Sequence, residues 1–120
     1  MLKIKRAYEA PSPEDGFRIL VDRLWPRGES KEKEQLDLWE KDIAPTNALR
    51  KEFGHDPDKF DWFAQEYRKE LDSNPATAEF IRLVGEKLQT SDVTLLYGAK
   101  DTRHNQAVVL QSYLEEKLRE

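Results

Sequence analysis

The sequence predicts an α/β fold: a small three-layer domain with a mainly parallel sheet of few strands and about five helices. Two observations lead to this prediction. Segments of strand type lie near both ends of the chain, and helical patterns occupy most of residues 30–88 between them. A helical connection between two strands of one sheet makes them parallel, with a right-handed crossover. Because 120 residues suffice for only one hydrophobic core, we expect residues 1–120 to form a single domain.

Two strands are predicted before the helical part of the chain. Leu2–Tyr8 alternates apolar with basic residues, which is typical of a strand with one buried face. Phe17–Leu24 is mostly apolar in its middle and contains β-branched residues. It ends before Pro26, which lacks the amide that a strand ladder needs, and before Gly28, which permits a turn. The polar segment after this strand is therefore predicted to be a loop.

Four helices are predicted next, each from a start or stop signal beside an apolar face. Side chains such as Ser and Asp cap free amides at a helix start, and proline fits the first turn. Glycine is common just after a helix end. In chain order, the signals are Ser30 capping a helix to about Ile43, a short helix Asn47–Phe53 stopping at Gly54, and starts at Asp56-Pro57 and Asn74-Pro75.

A last strand and a last helix complete the predicted order. Val93–Ala99 is almost continuously apolar, as expected of a strand buried on both faces in a parallel sheet. The final helix begins between Arg103 and Asn105 and carries Leu110 and Leu114 on one face. The long helical crossover predicts that Val93–Ala99 lies parallel to the second strand of the chain.

Composition restricts the classes of function. The chain has no Cys, which excludes a disulfide scaffold, a Cys-ligated metal site and a catalytic thiol. The net charge is −4, and the acidic excess lies in residues 29–92, so broad contact with nucleic-acid phosphates is disfavoured. No apolar run approaches the ~20 residues that span a bilayer, and the N-terminal residues do not resemble a secretory signal. We therefore expect a cytoplasmic protein with no membrane partner.

Two polar clusters follow predicted strands, at the end of the sheet where α/β proteins bind ligands. They are residues 22–28 and residues 100–105. If the two strands are neighbours, Arg23, Arg27 and Lys100 converge, and they suit a small anion because guanidinium groups bind oxyanions through paired hydrogen bonds. The alternative interpretation is that these cations pair with nearby carboxylates. The ligand-binding candidates in the two clusters are Asp22, Arg23, Trp25, Arg27, Lys100 and Asn105.

His104 is the first candidate for proton transfer, since histidine titrates near neutral pH and this one lies at a helix start. His55 lies in a turn before a capped helix, where a purely structural role is favoured unless that turn folds over the site. Asp101, counted with the catalytic candidates, or Asp22 would orient the imidazole. The two histidines lack a supporting carboxylate motif, so we expect neither a metal nor a cofactor. The sequence has no nucleophile elbow and no glycine motif of the phosphate-binding type.

The strand-end segments also carry a family resemblance. Residues 21–28, together with Lys31, resemble the first signature of the YeaO-like proteins. These form a bacterial and archaeal family whose domain has no assigned function. Residues 95–101 and 104–110 match the second signature. Because segments 37–39, 44–45, 49–50 and 53–56 fit the same pattern, the resemblance covers essentially the whole chain.

The resemblance implies a small α/β domain and brings no firm activity with it. It adds Lys31, Arg50 and His55 to the strand-end residues as candidates for one pocket. In more distant branches of the family, the segment matching residues 97–105 often carries Cys. This chain has none, so we do not expect it to share any thiol or metal chemistry of those branches.

Three functions remain open at this point. The first is an enzyme or binder that holds a small anionic molecule, with a phosphate or a carboxylate, in a basic pocket. The second is a non-enzymatic interaction module in which the strand-end charges form a structural network. The acidic helical segment, residues 29–92, and Trp62 would then face a protein partner or a second copy of the chain, giving a homodimer. The third, nucleic-acid binding, is disfavoured by the net charge of −4. We favour the first, and the sequence leaves open whether it includes a reaction.

Overall fold

The computed structural model describes all 120 residues, Met1–Glu120, and has an α/β architecture. Its elements are β1 (Leu2–Arg6), β2 (Phe17–Leu20), α1 (Lys31–Glu34), β3 (Leu38–Trp39), α2 (Asn47–Phe53), α3 (Phe60–Ser73), α4 (Thr77–Leu88), β4 (Val93–Tyr97) and α5 (Gln106–Leu118). The strands form one fully parallel sheet in the order β1-β4-β2-β3. The predicted class, a parallel sheet of few strands with about five helices, is confirmed.

The strand β4 lies inside the sheet, which explains its continuous run of apolar residues. All five of its residues are buried. It pairs with β1 on one side and with β2 on the other, so that Leu95 lies opposite both Ile4 and Ile19. The expected parallel pairing of β2 and β4 is thereby confirmed. Since both strands run the same way, the segments that follow them leave the sheet at the same edge.

The larger core lies on the face of the sheet that the long helices cover. Helices α4 and α5 pack on the sheet, and α3 packs on α5. Phe63, Tyr67 and Leu71 recur at helical spacing in α3 and are buried in this core. The fully buried Tyr67 hydroxyl donates a hydrogen bond to the carbonyl oxygen of Ile43 at 2.6 Å. This bond ties α3 to the segment that precedes α2.

The opposite face of the sheet is covered mainly by loops and by the single turn of α1, so the third layer is thin. Leu20 and Leu96 project to this face and pack against Trp25 and Trp39. The two indole rings meet edge to face, with their centroids 5.4 Å apart. An aromatic pair of this kind adds to the stability gained by burying the rings. The rings therefore help to fix the loop that follows β2.

A buried charged cluster holds the rest of the thin layer. The Arg18 guanidinium donates to Asp15 Oδ2 and to the carbonyl oxygen of Glu34. Burial opposes ionisation of Asp15, but the Ser12 amide, Lys5 and Arg18 outweigh it and lower the pKa of the carboxyl. These contacts fasten both the segment before β2 and the turn of α1 to the sheet.

The predicted helix from Ser30 to about Ile43 is wrong in its extent. The helix α1 ends after one turn, because Gln35 adopts the left-handed conformation with φ 48°. Asp37 then accepts the Arg18 amide on its side chain and donates its own amide to the Arg18 carbonyl. This pairing makes the next residues the edge strand β3. Pairing with the free side of β2 therefore determines the structure of this segment, although its apolar residues recur at helical spacing.

The other predicted elements agree in type, and the strands differ in length. The strands β1, β2 and β4 end at Arg6, Leu20 and Tyr97, two to four residues before the predicted ends. The short helix α2 and its left-handed stop at Gly54 are as predicted. None of the helices combines the length and apolarity needed to cross a bilayer.

Candidate functional site

A cavity of about 230 Å³ lies beyond the carboxyl ends of β2 and β4. This is the edge of the sheet at which ligand binding is expected in open α/β folds. Of the residues proposed from the sequence, the cavity brings together Asp22, Arg23, Trp25, Arg27, Arg50 and His55. Its other walls come from Tyr8, Leu24, Pro26, Ala44, Pro45, Phe53, Phe63, Gly98, Ala99 and Gln106.

Asp22 joins the two strand ends at the cavity. Its Oδ2 accepts the Gly98 amide at 2.8 Å, and its Oδ1 accepts the side-chain amide of Gln106, the first residue of α5. A Cβ atom on residue 98 would lie 3.1 Å from Oδ2, so glycine gives the carboxylate its close approach. One side chain thus connects β2, β4 and α5.

The protonation of Asp22 is unusual for a carboxyl group. Burial raises its pKa from 3.8 to about 6, against the opposing effects of the Gly98 amide and the positive charge of Arg50. At neutral pH the group is mainly ionised, and it takes up a proton under mildly acidic conditions. The charge of the cavity wall therefore changes within a pH range that cells encounter.

Three arginines line the cavity without a carboxylate partner. The arginines that form ion pairs elsewhere in the chain are Arg18, Arg68 and Arg82. Arg23 instead donates to the carbonyl oxygens of Ala44 and Pro45, at 3.0 and 3.2 Å. These two bonds fix its guanidinium and leave donors free.

The other two cavity arginines, Arg27 and Arg50, are held less firmly. Arg27 is exposed and forms neither a hydrogen bond nor an ion pair within the chain. Arg50, also exposed, makes a single contact of 3.4 Å to the Asn47 amide oxygen. The cavity therefore combines one fixed guanidinium with two that are free to adjust.

The aromatic side chains of the cavity are held by their own contacts. The Trp25 indole donates to the carbonyl oxygen of Glu29 at 2.7 Å, which closes the turn carrying Arg27. Tyr8 remains partly exposed, with the Arg6 guanidinium 5.0 Å from its ring centroid, and its hydroxyl forms no hydrogen bond within the chain. The cavity thus offers flat apolar surface beside its cations.

His55 reaches the cavity through a special backbone turn. It follows Gly54, and both residues have positive φ, 58° for Gly54 and 57° for His55. A left-handed conformation is uncommon for a residue with a Cβ. The turn places the imidazole at the cavity, beside Phe53, with ring centroids 6.3 Å apart. The turn thus brings His55 to the cavity, although the sequence favoured a purely structural role for this residue unless its turn folded over the site.

The second predicted cluster lies outside the cavity. His104 Nδ1 is 2.8 Å from Asp101 Oδ2, and the imidazole meets the Phe60 ring edge to face. Asp101 also accepts the amides of Arg103 and His104, contacts that lower its pKa. Asn105 is buried and caps α5 by accepting the amide of residue 108. These groups bond to one another and to the start of the helix.

The remaining predicted residues, Lys31 and Lys100, are exposed and do not line the cavity. The sequence interpretation also missed cavity residues, chiefly Tyr8, Gln106 and Phe53. Tyr8 follows β1, whose carboxyl end lies at the same edge of the sheet, so the strand-end rule applied to β1 gives it. Gln106 and Phe53 carried no separate signal. No group of three or more His, Asp or Glu side chains is placed to hold a metal ion.

Comparison with known proteins identifies the family. A family described as "Inactive DUF488-N3 subclade" matches residues 1–120, the whole chain. The uncharacterized protein YeaO of Escherichia coli is 39% identical over 113 residues, which cover 94% of this chain and 96% of YeaO. An uncharacterized protein of Mycobacterium tuberculosis is 37% identical over 113 residues, 94% of this chain and 92% of that protein. No solved structure matches the chain. The chain therefore belongs to the YeaO-like DUF488 family, within the subclade described as inactive.

Proposed function

We propose that this protein binds a small anionic molecule, bearing a phosphate or a carboxylate, in the cavity beyond β2 and β4. The observation that carries the proposal is the convergence of Arg23, Arg27 and Arg50 on one cavity with no carboxylate paired to them. Carboxylates are not scarce, since the chain has 24 acidic and 20 basic residues. Unpaired guanidinium groups around a concave surface favour an oxyanion ligand.

The surroundings of the arginines support the same ligand charge. Gln106 at the start of the 13-residue helix α5 lines the cavity, so the positive end of the helix dipole lies beside it. Arg23 is already oriented by the carbonyls of Ala44 and Pro45, so little conformational freedom is lost when it binds. The single carboxyl of the cavity, Asp22, becomes neutral below about pH 6.

The proposed activity is binding without a reaction. Of the acid–base candidates suggested by the sequence, His104 and Asp101 lie outside the cavity, whereas His55 and Asp22 line it. The family description as an inactive subclade agrees with the absence of a reaction. We assign His55 and Asp22, which line the cavity together with Tyr8 and the three arginines, roles in holding the ligand. The protein is expected to bind this ligand in the cytoplasm.

The alternative proposal is an interaction module with a protein partner or a second copy of the chain. Its support is that several strand-end residues already have structural partners. Arg23 holds two carbonyls, Trp25 closes its turn, and Asp22 joins two strands to α5. A structural network of this kind needs no ligand. The two proposals differ most clearly at Arg27, which holds nothing in the fold.

The first test measures the thermal unfolding midpoint against nucleotides, sugar phosphates, inorganic phosphate and small carboxylates. A ligand that binds only the folded state stabilises it by about 2.7 kcal/mol at a hundredfold excess over its Kd. We expect one anionic class to raise the midpoint of the wild type and of Lys100→Ala, a control cation outside the cavity. Arg27→Ala should stay folded and lose the shift. An Arg27→Ala variant that unfolds, or no shift with any anion, would favour the structural network.

A further inference from the structure

We infer that the anionic ligand carries a planar ring, which lies against Tyr8 and Trp25 while its carboxylate or phosphate binds the cavity arginines. This inference rests on the proposed function and specifies the ligand further. Its starting point is the composition of the cavity walls, in which rings and prolines stand beside the cations. The apolar side chains are Tyr8, Leu24, Trp25, Pro26, Ala44, Pro45, Phe53, Phe63 and Ala99.

The size of the cavity exceeds what a simple oxyanion fills. A volume of about 230 Å³ corresponds to roughly eight water molecules at ~30 Å³ each. It is also below the ~300–1,000 Å³ of pockets that hold drug-sized ligands. An inorganic anion on the arginines would leave the rings in water. A single ring with one charged group uses both kinds of wall.

The placement of Tyr8 and Trp25 suits a flat ligand. Tyr8 follows β1 and Trp25 follows β2, and β4 lies between these strands. Two strand spacings of ~4.8 Å separate the ends of β1 and β2 by roughly 10 Å. Both rings line the same cavity, so a planar ring held in it has aromatic surface to stack on.

The hydrogen-bonding state of the rings agrees with this role. The Trp25 indole is fixed by its bond to the Glu29 carbonyl, so its ring surface is preorganised. The Tyr8 ring is 38% exposed, and its hydroxyl has no partner within the chain. Within the fold the ring contacts the Arg6 guanidinium, and its hydroxyl holds no other group. Tyr8 is therefore available to a ligand, both as a flat surface and as a hydrogen-bond donor.

The test compares three kinds of probe by isothermal titration: benzoate and phenyl phosphate, acetate and inorganic phosphate, and the neutral ring benzamide. We expect each ring-bearing anion to bind at least tenfold more tightly than its ringless partner, and benzamide not to bind. Tyr8→Ala should lower the ratio of benzoate to acetate affinity, because it removes one of the two ring surfaces. Trp62→Ala is the matched control, because it removes an aromatic side chain outside the cavity that is 37% exposed, close to the 38% of Tyr8.

Each outcome has a definite meaning. If acetate and phosphate bind as tightly as the ring-bearing anions, the ring inference is wrong and the anion site stands. The same holds if Tyr8→Ala binds benzoate like the wild type. If benzamide binds as tightly as benzoate, or if no probe binds at millimolar concentration, the proposed anion site itself is wrong and the ring inference falls with it.

Discussion

Replacing Asp22 by Asn should make the protein more stable at mildly alkaline pH and should flatten the pH dependence of its stability. Asn has nearly the same shape, and its side-chain oxygen accepts the Gly98 amide that Asp22 now accepts. The Gln106 amide can rotate to present its oxygen to the new amide group. The substitution therefore removes the buried charge while it keeps the connection between β2, β4 and α5.

The magnitude follows from the pKa of about 6 in the folded state and 3.8 as the ordinary value. Because the folded pKa is raised, the folded state holds the proton more tightly than the unfolded chain does. The associated stability is complete below pH 3.8 and is lost as pH rises through about 6. The full difference is about 3 kcal/mol, at ~1.36 kcal/mol per pH unit. Between about pH 8 and about pH 5 it changes by about 1.4 kcal/mol.

The assay is urea unfolding of the wild type and of Asp22→Asn at these two pH values. From the higher to the lower pH, the free energy of unfolding of the wild type should rise by about 1.4 kcal/mol relative to that of Asp22→Asn. Asp61→Asn, an exposed carboxylate with no hydrogen bond in the fold, is the control and should show no such change. A difference that is the same at both pH values would refute the reasoning, since the Asp22 carboxyl would then not titrate in this range.

Three further outcomes follow from the structure. Gly16→Ala should lower the free energy of unfolding, measured in urea, by more than ~3 kcal/mol. The reason is that its Cβ would lie 2.1 Å from the Asp92 carbonyl oxygen at a φ of 67°. A loss below about 1 kcal/mol would contradict this packing. Tyr67→Phe should lower the free energy of unfolding by about 1–2 kcal/mol, because the buried Ile43 carbonyl loses its donor. An unchanged unfolding midpoint would mean that water replaces the Tyr67 hydroxyl as the donor. Benzoate should bind the wild type more tightly at about pH 5 than at about pH 8, because protonation of Asp22 removes a like charge, and Asp22→Asn should weaken this dependence.

The central part of the fold could be predicted because its sequence pattern and its environment agree. An apolar run such as Val93–Tyr97 suits a buried parallel strand and little else, and helix caps marked α2 and α5 correctly. The strand β3 could not be predicted in this way. Its two residues, Leu38–Trp39, become a strand because they pair with the free side of β2. The sequence around them carries no sign of this pairing, since β2 lies elsewhere in the chain.

The candidate site was half predictable for a related reason. The strand-end rule locates a backbone segment and says nothing of where its side chains point. The segment after β2 directs Asp22, Arg23 and Arg27 into the cavity. After β4, Asp101 binds the amides of Arg103 and His104 and the His104 ring, so these groups face one another. A short polar side chain within three residues of free backbone amides bonds to those amides and does not reach a more distant cavity.

The sign of the Asp22→Asn effect also separates the two proposed functions. In a structural network, the charge of Asp22 strengthens its bonds to the Gly98 and Gln106 amides, and removal of that charge lowers stability. In a binding site, a buried carboxyl with a raised pKa lowers the stability of the fold at neutral pH. Such a residue is kept in the sequence because it serves ligand binding. A more stable Asp22→Asn variant that binds anions with altered pH dependence supports the binding site. A less stable variant with no anion binding in either protein supports the network.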